Sequence, residues 1–338
     1  EMQKVDANVN FSRFISENYE SWLNDPNVDR PLLSHNLFRK KIFPQVKDGE
    51  SMFFILIDNL RFDQWKVIEP SITELFNIEE ESTYYSILPT TTSYARNSIF
   101  SGLLPKDMAR LHPDLWVGED SDEGKNLNES EFLKRQVKRA NLNIKTSYHK
   151  ILNQNHGRQL MSSVNNLLTN ELNTVVFNFV DMLSHARTDM EMIRQLAPDE
   201  AAYLSLTKSW FEHSSLYELL KFLSEKKIRT VITTDHGTIR VKRPFKIVGD
   251  RNVNTNLRYK HGKNLGFEEK NVLVIREPEK FHLPKQNVSA AYVFAQEDYF
   301  FAYPNNFNYY VKYFTDTFQH GGISMEEMII PYIQLDPK

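Results

Sequence analysis

Three short apolar runs in this chain each give way at once to an aspartate. Met52-Phe53-Phe54-Ile55-Leu56-Ile57 leads into Asp58, Asn173–Val180 (NTVVFNFV) into Asp181, and Thr230–Thr234 (TVITT) into Asp235. Such a run, apolar without alternation, suits a strand covered on both faces. Asn271–Ile275 (NVLVI) reads as a fourth. Helical patterns lie between them, at Glu129–Ala140 and in a long one over Glu200–Lys226. The latter puts Trp210, Phe211, Leu216, Leu219, Leu220 and Leu223 largely on one side. Strand–helix–strand alternation predicts an α/β fold with a mostly parallel central sheet flanked by helices. Strand ends are where such sheets assemble sites, so the aspartates predict chemistry as well as architecture.

Residues 1–50 follow another pattern. Phe11, Phe14, Ile15, Tyr19 and Trp22 recur at spacings of three and four, which predicts an amphipathic helix over Asn10–Trp22. Asp25-Pro26 and Asp29-Arg30-Pro31 stop it, and Leu32–Val46 offers a second short helical piece. The expected organisation is a small helical bundle or linker segment at 1–50 followed by a catalytic domain at 51–338. Arg110–Glu129 is polar, acidic and Gly-containing, as in a surface excursion or lid. Lys280–Asp316 is crowded with aromatics, including Tyr299-Phe300-Phe301 and Tyr309-Tyr310, and reads as a cap at 280–316 whose rings pack inward, or as a substrate-side subdomain.

Composition narrows the chemistry. With 41 basic and 44 acidic residues the net charge is near -3, without the basic excess of a duplex binder. Cys is absent, which excludes disulfides, Cys-ligated zinc, iron–sulfur clusters and thiol nucleophiles, and fits a reducing cytoplasm. No run approaches 18 apolar residues and no signal peptide opens the chain, so membrane insertion is not expected. The start, Glu1-Met2-Gln3, has no initiator at position 1, and an upstream domain is expected.

A metal site here must therefore use oxygen and imidazole. Asp58 at a strand end is costly to bury unless paired or metal-bound, with a helix cap or surface turn as the plainer alternative. In Pro89-Thr90-Thr91-Thr92 the hydroxyls suit a cap before an Ala95–Gly102 helix. A hydroxyl there also lies beside first-turn N–H groups that favour phosphate, and metal binding would make it a nucleophile. Asp181 and His185 stand one helical turn apart and can share one cation, although lone histidines are often structural. Asp235-His236-Gly237, turning through Gly, can aim both side chains at one centre or form a buried hydrogen-bonded pair. In His320-Gly321-Gly322-Ile323-Ser324-Met325-Glu326-Glu327 the glycines admit a close backbone, and Ser324 with Glu327 fits a capped short helix. His320 is the natural late ligand. His112, His149, His156, His213 and His282 have weaker settings. His261, beside Gly262 and near Arg258 and Lys260, is a candidate for substrate phosphate or a closing loop. The candidate set is Asp58, Thr92, Asp181, His185, Asp235, His236 and His320. Mixed carboxylate and imidazole suits zinc or manganese over magnesium, in a pair roughly 4 Å apart.

These segments resemble the alkaline phosphatase superfamily over roughly residues 50–335. FFILIDNLR resembles the strand that delivers the first aspartate, LPTTTSYARNSIFSG the nucleophile segment, VDMLSH the D-x-x-x-H element, TTDHG the D-H-G element, and HGGISMEEMIIP the late histidine element. The resemblance implies that Thr92, three after the proline, is the nucleophile. It also implies that Asp58, Thr92, Asp235 and His236 hold one metal, and that Asp181, His185 and His320 hold the other, most simply two Zn2+ with Mn2+ as the alternative. The narrower resemblance is to the PglZ domain as it occurs in response regulators associated with the type IX secretion system. That implies a cytoplasmic, zinc-dependent phosphodiesterase acting on nucleotides, a receiver domain upstream, a homodimer on activation and a regulatory partner in secretion. The expected activity is two-metal hydrolysis of a nucleotide or oligonucleotide-type diester through a covalent phospho-threonine. Phosphomonoester hydrolysis, and a signalling or interaction module with a structural metal site, are the alternatives. The sulfatase C/S-x-P-x-R motif is missing. Nucleotide pyrophosphatases carry asparagine three residues after the nucleophile, where this chain has Ala95, so Arg96 and Asn97 stand as displaced candidates for substrate phosphate.

Overall fold

In the computed structural model, which describes residues 2–118, 124, 126–249, 253–285 and 289–338, the apolar runs pair side by side. The strands are β1 Met52–Ile57, β2 Phe76–Tyr85, β3 Thr146–Ile151, β4 Leu172–Phe177, β5 Arg229–Thr233, β6 Ile239–Arg240, β7 Arg243–Lys246, β8 Tyr259–Gly262, β9 Val272–Ile275, β10 Ala291–Ala295, β11 Tyr299–Ala302, β12 Phe318–Gln319 and β13 Ile329–Pro337. Six of them form the central sheet, in the order β2-β13-β5-β1-β4-β3. β1 lies parallel between β4 and β5, with Ile57 opposite Phe177 and Leu56 opposite Thr233, so the three strand ends stand level. β13 is the antiparallel member. Every residue of β1 and β4 is buried, as their unbroken apolar character requires.

Helices cover both faces. One core joins Phe53, Ile55, Trp65, Val175, Leu219 and Ile232; the other joins Phe54, Leu56, Ile99, Phe132, Val231 and Ile330. The expected helix over Glu200–Lys226 is two, Glu200–Glu212 and Ser215–Glu225. The Ser214 hydroxyl explains the break, since it accepts the Tyr217 N–H at 3.3 Å and starts a new helix. Asn271–Ile275 is also corrected. It forms β9 in a separate antiparallel sheet, β8-β10-β9, where Val272 and Ile275 are buried and the residues between them only half so. The run Asn173–Val180 ends as a strand at Phe177, and its last two residues already belong to the helix Phe179–Asp189.

The N-terminal helix runs from Met2 to Asn24. Phe11 stacks on Tyr85 with ring centroids 6.0 Å apart, and the Tyr19 hydroxyl accepts the Leu88 N–H at 2.9 Å. Leu32–Val46 is a succession of short irregular helical turns that bury Leu33, Leu37, Phe38 and Ile42. Of the stretch 110–129, residues 119–123 and 125 lie outside the described residues, as do 286–288 of the stretch 280–316. In the latter, Phe300 and Phe301 are buried in β11, whereas Tyr309 and Tyr310, on the helix Phe307–Phe314, are 64% and 37% exposed. Inward packing thus holds for the first aromatic group and fails for the second. No helix among the described residues is long and apolar enough to cross a membrane.

Candidate metal centre

The level ends of β1, β4 and β5 bring the aspartates to one edge. The chain leaves β1 with the Asp58 N–H donated to the Phe177 carbonyl at 2.8 Å. It then turns at Asn59, whose φ of 65° lies in the left-handed region that Asn tolerates better than most residues. Asp58, Asp235 and His236 form one group whose ligand atoms lie within 4.8 Å of one another, all buried; Asp181, His185 and His320 form a second, more open group. The His236 and His320 rings stack at 4.2 Å and 20°, so the two groups are neighbours.

Each group has internal order. His236 Nε2 lies 3.8 Å from Asp58 Oδ1 and 3.7 Å from Asp235 Oδ2. Its Nδ1, placed as the protonated nitrogen, donates to the Gly237 carbonyl at 3.1 Å. His320 likewise turns Nδ1 to the Thr90 carbonyl at 3.2 Å and Nε2 towards Asp181 Oδ1 at 3.7 Å. His185 Nε2 is 3.5 Å from Asp181 Oδ2. A carbonyl fixing one ring nitrogen presents the other, unprotonated, as a ligand. Thr92 Oγ1 is 3.2 Å from His236 Nε2, where the segment 89–92 meets the buried group.

The three threonines are not interchangeable. Thr90 accepts the Gly321 N–H at 3.0 Å and donates to the Gly322 carbonyl at 2.9 Å, tying its segment to the loop that carries His320. Thr91 is the cap residue, its carbonyl accepting from Ala95 at 2.7 Å and its hydroxyl lying 3.2 Å from Ser93 Oγ. Thr92 alone of the three faces His236. Ser324 caps the helix Met325–Met328 by accepting the Glu327 N–H at 3.2 Å. Gly237 has no room for a side chain, since a Cβ there would stand 2.0 Å from the Glu326 carbonyl oxygen.

Electrostatics test whether a cation fits. Burial raises the Asp58 carboxyl well above its usual range; Arg96 opposes this, and the carboxylates of Asp235 and Asp181 add to it. Its Oδ1 is buried without a hydrogen-bond partner. Burial also pushes Asp235 upward, but the Arg96 guanidinium, His236 and backbone N–H groups together outweigh it and hold that carboxyl at about 2. Burial, with His236 beside it, lowers His320 to about 3, so the ring stays neutral, the form that binds a metal. A raised carboxylate with an unpartnered oxygen aimed at other ligand atoms is what a divalent cation relieves. The donor set fits zinc or manganese.

Arg96, a candidate for substrate phosphate, is engaged by the protein's own carboxylates. Its guanidinium is fully buried, donating from Nε to Asp235 Oδ2 at 2.9 Å, pairing with Asp58, and donating from Nη1 to Glu129 Oε1 at 3.3 Å. Asn97, also buried, turns its amide to the Ser93 carbonyl at 2.9 Å. His261 stacks on Tyr292 at 4.1 Å and belongs to neither ligand group. Two residues that the sequence did not single out matter here. Asn59 bridges the groups, its N–H donated to Asp235 Oδ1 at 3.4 Å and its side-chain amide to Asp181 Oδ1 at 3.3 Å. An Asn at a strand-end turn was the available signal. Glu129, buried beneath Arg96, gave none.

A mostly parallel sheet with two ligand groups and a threonine at its edge defines an alkaline phosphatase-like protein, and solved structures of that fold match most of the chain. Murine ectonucleotide pyrophosphatase/phosphodiesterase 5 is 13% identical with a TM-score of 0.58, over 84% of this chain and 88% of that one. An inactive variant of it in complex with AMP is also 13% identical, with a TM-score of 0.56 over 84% and 87%. Phosphonoacetate hydrolase from Sinorhizobium meliloti 1021, in complex with phosphonoformate, is 10% identical with a TM-score of 0.52 over 85% and 90%. Residues 37–335 match the BREX system PglZ alkaline phosphatase-like domain, and the chain belongs to this PglZ family. No curated protein matches the sequence.

Proposed function

We propose that the chain is a two-metal, zinc-dependent phosphodiesterase with Thr92 as its nucleophile. The observation that carries the reading is the Thr92 hydroxyl 3.2 Å from His236 Nε2, beside two groups of three ligands each. Asp58, Asp235 and His236 would hold one ion with Thr92, and Asp181, His185 and His320 the other. When bound, such ions supply charge neutralisation and favour the ionised forms of the hydroxyl and of water. The Thr92 Oγ–H gives its proton to solvent and the oxygen attacks phosphorus; the Oγ–P bond forms as the bond to the leaving oxygen breaks, and that oxygen takes a proton from solvent to leave as the alcohol. Water then attacks phosphorus and breaks the Oγ–P bond, which restores the hydroxyl. The chain's own contribution is positioning: Thr90 and Thr91 fix the segment, and the carbonyls of Gly237 and Thr90 orient the two imidazoles.

A diester is favoured because the Arg96 cation is already engaged by three carboxylates, whereas a monoester dianion needs additional positive charge. The AMP held by the inactive variant of the murine relative supports a nucleotide-type ligand. The wider setting is also proposed: the cytoplasmic effector half of a PorX-like response regulator, with a receiver domain upstream, a homodimer on activation and a partner in secretion. The test compares hydrolysis of an aryl phosphodiester and an aryl phosphomonoester, with added zinc and with chelator, by the parent and by Thr92→Ala. The expected result is metal-dependent, diester-selective turnover that Thr92→Ala abolishes while metal content is kept. Full activity in Thr92→Ala refutes the nucleophile, and equal rates with chelator refute the metal.

A further inference from the structure

Glu129 opens the helix Glu129–Arg139 at a point where first-turn acids are usually solvated, yet it is 1% exposed. Its Oε2 accepts from the Tyr148 hydroxyl at 2.6 Å and from Lys150 Nζ at 3.0 Å, both on β3. Its Oε1 accepts from Arg96 Nη1 at 3.3 Å, and Arg96 turns its other nitrogens to Asp58 and Asp235. An ionic chain thus runs from the edge strand to one ligand group. The group of Asp181, His185 and His320 has no counterpart among the described residues; neutral partners, Asn59 and Thr90, back it.

Burying this many charges is unfavourable unless each has a partner of good geometry. The arrangement has a consequence at the ligands. Arg96 occupies Asp58 Oδ2, while Asp58 Oδ1 remains facing His236; it also holds Asp235 Oδ2, which lies 3.7 Å from His236 Nε2. Without a countercharge behind it, the same guanidinium would repel an incoming cation.

We propose that Glu129 is a positioning residue for the buried ligand group. Acting through Arg96, it presets the carboxylates of Asp58 and Asp235 and offsets the guanidinium charge, while the open group forms independently of it. This rests on the metal reading above. The experiment titrates metal-free protein with zinc against a chromophoric chelator and resolves the two dissociation constants. Glu129→Gln keeps the shape and an acceptor for Tyr148. It should still bind two equivalents, one of them 10–100-fold more weakly, the range for groups that orient metal ligands, and the other unchanged. Tyr148→Phe should weaken the same equivalent by a smaller factor. In a His185→Ala background, which disables the exposed group, the single remaining equivalent should show the same loss. Equal weakening of both equivalents, or no change in either Glu129→Gln or Tyr148→Phe, overturns the proposal. A parent protein that binds no zinc overturns the metal reading and this inference with it.

Discussion

Glu327→Gln isolates one buried charge beneath the loop of His320. Glu327 accepts from Arg258 Nε at 3.0 Å and Nη2 at 2.7 Å, from the Gly322 N–H at 2.9 Å and from the Ser324 hydroxyl at 2.7 Å. Both members of the Arg258–Glu327 pair are fully buried. The substitution keeps the shape, removes the charge and turns an amide NH2 towards the Arg258 guanidinium, which can only donate. Leaving one partner of a buried pair uncompensated costs about 3–5 kcal/mol, against a typical native stability of about 5–15 kcal/mol. Urea denaturation of metal-free protein should show a lower midpoint with that loss, and zinc should bind the group containing His320 more weakly. Converting both partners to methionine in Arg258→Met/Glu327→Met should recover part of the stability, since no lone charge is left behind. A Glu327→Gln loss within the roughly 0.5 kcal/mol of an ordinary surface substitution would show that the pair does not hold the loop.

Gly237→Ala would force a Cβ to within 2.0 Å of the Glu326 carbonyl, so the Asp235-His236 loop must shift; diester hydrolysis should fall at least tenfold, and unchanged kcat/KM would contradict the close approach. Zinc at one hundred times its dissociation constant should raise stability by about 2.7 kcal/mol, with chelator reversing the shift in a thermal melt; an unmoved melting curve would argue against metal binding. Burial, helped by Arg30, holds His35 at about 3 against 6.5 in the unfolded chain. Between those values the unfolded state binds the extra proton, so stability falls as pH drops through that window. His35→Gln should flatten that acid limb, and identical slopes in the two proteins would refute the assignment.

What could be read ahead of the structure was what local pattern encodes. The runs at 52–57, 172–177 and 229–233 declared themselves because each is buried on nearly every residue. β2 did not, since Phe-Asn-Ile-Glu-Glu-Glu looks solvated. One side of it is indeed exposed, and its acids are also engaged across space, Glu80 by Lys41 at 2.6 Å and Glu81 by the Trp65 indole at 2.9 Å. β13 was hidden by Pro331, which a central strand seldom holds. It is accommodated because pairing with β5 begins only at Tyr332, one residue on. At the site, residue type and spacing singled out the residues that the structure gathers into two groups. Arg96 was legible as important but not as buried, because its three carboxylate partners lie 38, 139 and 33 residues away in Asp58, Asp235 and Glu129.

The placement of β13 has a consequence for a chain emerging from the ribosome. β2 is made well before its hydrogen-bonding partner β13, which follows roughly three-quarters of this sequence later. Until that partner arrives, β5 and β2 offer open edges of the kind that other nascent chains can adopt as templates. The segment that closes the gap follows directly from the loop of His320, so that strand and that imidazole are delivered together. A nascent chain that stops short of this segment lacks both, and hydrolytic competence should appear only once the sheet is sealed.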